Sequence, residues 1–73
     1  MPDCPEPLTV AWVVAQAAAI AARRADDERA HRAEDRLHQT VLRAIADGRC
    51  ADPAECARAA LQTLELSFSR WYA

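Results

Sequence analysis

One glycine and no lysine in a chain of 73 residues narrow what it can be. A single glycine leaves no room for a glycine-rich loop that cradles phosphates. Three of the four prolines (Pro2, Pro5, Pro7) fall in the first seven residues, so nothing interrupts a helix between Leu8 and Asp47. Residues typical of strands are scarce, and aromatics make up only 5% of the chain. No serine or cysteine stands in a recognisable nucleophile setting, which argues against an enzyme acting alone.

Other absences bear on partners and compartment. Nine basic residues, all arginine, face eleven acidic ones for a net charge of −2. Arginine without lysine suits phosphate recognition. A GC-rich coding bias, which also favours alanine, accounts for it more simply. The expected outward face of the last helix (Glu55, Arg58, Gln62, Glu65, Ser69) carries two acids, so no nucleic-acid partner is expected. Asp3 and Glu6 precede the apolar opening, where a secretory signal needs positive charge. A membrane span needs about 20 apolar residues, more than this stretch offers, so no membrane partner is expected. The odd number of cysteines suggests reduced thiols in the cytoplasm.

What remains is helix. Eighteen alanines dominate a chain otherwise rich in strong helix formers. Residues 1–7 read as a flexible proline-rich tail, and residues 8–73 as one all-α domain with helices near 9–24, 26–47 and 53–71. Asp26, Asp27 and Glu28 suit a helix start and would permit a break near Ala25. Opposite charges four residues apart (Arg23–Asp27, Arg24–Glu28, Glu28–Arg32) favour a single long helix instead, and no turn residue forces a break. The balance tilts slightly to the continuous helix. The next boundary is sharper: Gly48 suits a helix end, while Asp52, Pro53 and Glu55 form a capped start. Ala54, Ala57, Leu61, Leu64, Phe68 and Trp71 then recur at spacings of three and four. They predict a seam packed on Ala30, Ala33, Leu37, Val41, Ala44 and Ile45.

The expected architecture is a helical hairpin or a three-helix bundle, completed by oligomerisation. The stretch "LTVAWVVAQAAAIAA" is apolar round its whole circumference, and such a helix is normally enclosed on more than one side. One short hairpin is not expected to enclose it. A second copy of the chain is the favoured cover, because isologous dimers are the commonest oligomers. The expected interaction residues are Val10, Trp12, Val13, Val14 and Ile20 at one end, and Phe68, Trp71 and Tyr72 at the other.

Two constellations compete with that reading. Glu28 and His31, then Asp35 and His38, repeat a Glu/Asp-x-x-His spacing. With Glu34 they offer carboxylate and imidazole ligands on one helix face, a candidate Fe or Zn site shared between chains. Arginines at 29, 32 and 36 interleave them, which favours a solvated face laced with ion pairs. Cys50 and Cys56 are too far apart in sequence for a usual zinc clip, and Cys50 in the turn is the thiol open to oxidation.

Ala46, Gly48 and Cys50 around the turn, followed by Leu64 and Glu65, resemble the small helical-hairpin co-chaperones of type III secretion needle subunits. The likeness covers residues 37–66. It implies a cytoplasmic protein that packs against a second chaperone. Where those proteins place aromatics early in the second helix, this chain has Ala54, Cys56 and Ala57. The reading favoured by the residues themselves is a non-enzymatic protein-binding module: adaptor, inhibitor, chaperone or assembly subunit. Trp12→Ala is expected to weaken association while circular dichroism stays close to the parent; complete unfolding would make Trp12 a core residue instead.

Overall fold

The computed structural model describes residues 4–66, and within them the chain forms three α-helices. Helix α1 runs Val10–Ala22, α2 Asp27–Ala46 and α3 Pro53–Leu61, and a single 3-10 turn follows over Gln62–Glu65. Each helix packs on both others, and no strand is present among the described residues. The all-α expectation holds.

Each helix start is written in the sequence. The Thr9 hydroxyl accepts the Trp12 N–H at 3.2 Å, Asp26 accepts the Arg29 N–H at 3.2 Å, and Asp52 accepts the Glu55 N–H at 3.3 Å. Each therefore satisfies one backbone donor that the helix cannot. Helix α2 ends in a Schellman motif: Arg49 N–H donates to Ala44 C=O at 2.8 Å and Gly48 N–H to Ile45 C=O at 3.1 Å. Gly48 sits at φ +70°, the left-handed conformation that this motif requires and that an L side chain resists.

The continuous first helix is corrected. Residues 23–26 form a turn, closed by Arg23 N–H to Ile20 C=O and Asp26 N–H to Arg23 C=O, both 2.9 Å. The charge pairs that argued for continuity are redistributed. Arg32 does reach Glu28 at 2.7 Å, but Arg24 donates back to Ala21 C=O at 2.8 Å and Arg29 pairs with Asp26 at 3.5 Å. Arginine is thus spent on capping α1 and bracing the start of α2. The turn needs no glycine because none of its residues takes a positive φ.

Helix α1 folds onto the hairpin of α2 and α3, burying Val13 and Ile20 and half-burying Val10, Trp12 and Ala17. The hairpin therefore covers more of α1 than its composition suggested. Val13 and Ile20 belong to the core and cannot meet a partner. On the stripe facing it, Ala30, Leu37, Val41 and Ala44 are buried, with Ala33 and Ile45 half-buried, as the periodicity indicated.

The seam on α3 is rotated from its expected position. Cys56, Ala59, Ala60 and Thr63 face inward, whereas Ala54, Leu61 and Leu64 are exposed and Ala57 is half-buried. A shift of two residues is about 200° around a helix, which exchanges inside for outside. Helix α3 must fit against two helices at once, and small side chains let it approach both. Thr63 can enter the core because its polar atom is satisfied there: the His38 Nε2 lies 2.9 Å from its Oγ1. Phe68, Trp71 and Tyr72 lie outside the described residues.

Cys4 and Leu8, ahead of α1, are docked against the core. Leu8 N–H donates to Arg49 C=O at 2.7 Å and Ala51 N–H to Leu8 C=O at 2.9 Å, a parallel bridge to Cys50. The Leu8 side chain is wholly buried, and Cys4 packs against the same core. Leu8→Ala is expected to lower unfolding free energy by about 2–5 kcal/mol, read as a reduced midpoint in urea, because it empties the core at the clasp.

Candidate functional site

Helix α1 buries one side only. Ala11, Val14, Ala15, Ala18, Ala19 and Ala22 remain exposed, and Val14 keeps 53% of its surface in solvent. Beside this face lies an open cleft of about 320 Å³. Its walls are Ala17, Ala18 and Ala21 from α1 and Gln62, Thr63, Glu65 and Leu66 from the 3-10 turn and the residue after it. The cleft exists because α3 ends its α-helical winding at Leu61 and tightens, while α1 presents only methyl groups opposite. Its walls offer apolar contact with polar groups at one rim. Its polar groups are Gln62, Glu65 and Thr63, the last with its Oγ1 2.9 Å from His38 Nε2.

The candidate metal residues occupy one face of α2 but hold separate partners. His38 Nε2 lies 3.1 Å from Ala60 C=O and 2.9 Å from Thr63 Oγ1. Thr63 Oγ1 itself donates to Ala60 C=O at 3.1 Å. A carbonyl only accepts, so Nε2 carries the proton and donates to both oxygens. His38 therefore fastens α2 to the end of α3 and is not presented as a ligand through that nitrogen. His31 pairs with Asp35 at 3.5 Å, Glu28 with Arg32, and Glu34 is buried. Among the described residues no three His, Cys, Asp or Glu side chains are placed to hold a metal ion.

All three cysteines are free. Cys56 is buried in the first turn of α3, and its thiol shares a hydrogen bond with Cys50, which is half-buried in the preceding loop. Burial first, then the Cys50 contact, pushes the Cys56 thiol up to about 11. Cys56 is thus a small apolar core residue rather than a nucleophile.

Sequence reasoning placed Trp12 and Val14 on α1, and the structure leaves both with accessible surface. It missed the cleft, because the pairing of Ala17 and Ala21 with Gln62 and Leu66 depends on how far α1 slides along α3. It also missed Leu8 as a core residue, for which the isolated position before a Thr cap was the available signal. No protein family, no curated protein and no solved structure matches this chain. Among the described residues no helix is long and apolar enough to cross a membrane.

The raised Cys56 value has a stability consequence. The unfolded thiol loses its proton near its ordinary value of 9.0, while the folded one holds it to about 11. The contribution is complete below pH 9 and is lost as pH rises through 11. The thermal midpoint is expected to fall across that window, and by less in Cys56→Val; equal falls would place the titration elsewhere.

Proposed function

We propose that this chain is a small non-catalytic protein-binding module, acting as an adaptor, inhibitor, chaperone or assembly subunit, through the outward face of α1 and the adjoining cleft. The observation that carries the reading is Val14, 53% exposed among exposed alanines on a helix whose composition suits enclosure. A solvated helix gains nothing from valine there, whereas burying an exposed valine at an interface contributes about 1.5 kcal/mol or more. Alanines at 11, 15 and 18 would let a second helix approach closely.

The favoured cover is a second copy of the same chain. Two α1 faces meeting about a twofold axis would bury Val14 and the alanines on both sides and extend over each cleft. Trp12, half-buried at the edge of this face, would gain contact in the same event. Its three free thiols fit a reducing compartment, and we place the protein in the cytoplasm. The likeness to secretion co-chaperones belongs to the same class of function, with a second chaperone in place of the second copy.

Light scattering across a dilution series tests this directly. The expected mass at high concentration is twice the 8.0 kDa of the chain. Ala18→Arg should return it to 8.0 kDa with unchanged helix content, because the side chain is exposed in the single chain. A monomer at every concentration removes self-association. A dimer indifferent to Ala18→Arg and to Val14→Glu moves the interface off α1.

A further inference from the structure

Four arginines meet around one shallow depression at the junction of α1 and α2. Arg23 comes from the end of α1; Arg29, Arg32 and Arg36 stand at spacings of three and four along α2, with Ala33 as the floor. The depression holds about 150 Å³. Its position is fixed by backbone, since Arg23 donates its N–H to Ile20 C=O and accepts that of Asp26, so α1 cannot swing its arginine away without unwinding the turn.

The four arginines differ in what engages them within the chain. Asp26 engages Arg29 and Glu28 engages Arg32, and those arginine side chains remain 79% and 69% exposed. Arg23 and Arg36 make no ion pair among the described residues. Two of the four arginines around the depression are thus engaged by acids and two are not. Gathering like charges is unfavourable unless an anion joins them. A guanidinium presents paired N–H donors in a plane that matches two oxygens of a phosphate, which an ammonium does not. Arg23 and Arg36 reach the depression from different elements and can grip one anion from two sides.

We propose that this arginine cleft binds a phosphate oxyanion, either a free polyphosphate or the phosphoryl group of a phosphorylated protein segment. The site is separate from the α1 face and does not depend on the reading given for it. Because the donors are solvent-exposed, binding is strongest at low ionic strength and weakens as salt is added.

The test is titration of the full chain with pyrophosphate in low-salt buffer, followed by amide chemical shifts. The expected result is a saturable shift confined to residues 23–36. The double variant Arg23→Gln, Arg36→Gln should lower affinity at least tenfold. Arg43→Gln with Arg58→Gln removes the same net charge elsewhere and should change it less than twofold. A phosphoserine peptide with neutral flanks forms a parallel arm: tighter binding of the peptide assigns the site to phosphoproteins, and tighter binding of pyrophosphate to free polyphosphate. Absence of a saturable shift with either ligand overturns the proposal, as does equal weakening by the two double variants.

Discussion

Two hydrogen bonds at Leu8 tie the start of the chain to the loop between α2 and α3, and the placement of α1 rests on them. An α-helical hairpin offers a neighbouring helix many registers, especially when the facing residues are alanines of equal size. The clasp removes that freedom. With Leu8 held against Arg49 and Ala51, α1 enters beside the start of α3, and Val13 and Ile20 fall into the core at fixed heights. Gly48 supports the clasp from the other side. Its left-handed conformation turns the backbone out of α2, so that the Arg49 carbonyl and the Ala51 N–H are both free to meet Leu8.

At the far end of α3, His38 does comparable work with side chains. Its Nε2 proton is shared between a carbonyl and a hydroxyl at the point where α-helical winding gives way to a 3-10 turn. The clasp and this contact bracket α3 at both ends. Between them the chain needs only small residues, and Cys56, Ala59 and Ala60 fill the space. The exposed alanine face of α1 and the cleft beside Leu66 follow from this arrangement: α1 is gripped along one side, and its other side carries methyl groups and Val14.

Much of the fold was legible in the sequence, for reasons that differ by element. The cap at Asp52 and the helix end at Gly48 are local devices, and they stand where residue type placed them. The inward stripe of α2 was legible because Leu37 and Val41 alternate with charges. The turn at residues 23–26 was not, since it uses ordinary φ values and the same arginines and acids that would equally well decorate a straight helix. The α3 seam misled because a spacing of three and four is met equally well two positions round the helix, by Cys56, Ala59, Ala60 and Thr63. Burial there follows the spacing between helices, which admits alanine, cysteine and threonine. Of the α1 residues expected at an interface, Val14 is exposed, Val10 and Trp12 are half-buried, and Val13 and Ile20 are core. The cleft and the arginine cluster needed the third dimension, because each joins residues that are not periodic with one another.

A core built on this plan has a thermal character of its own. Of the ten buried apolar residues among those described, four are alanines and one is cysteine. Heat capacity on unfolding scales with newly wetted apolar surface, on average about 12–15 cal/mol/K per residue. Alanines expose little when they separate, so this chain should fall at or below the lower end of that range. A small heat-capacity change flattens the curve of stability against temperature. Stability should therefore change little on cooling, through the same small side chains that let the helices lie close together.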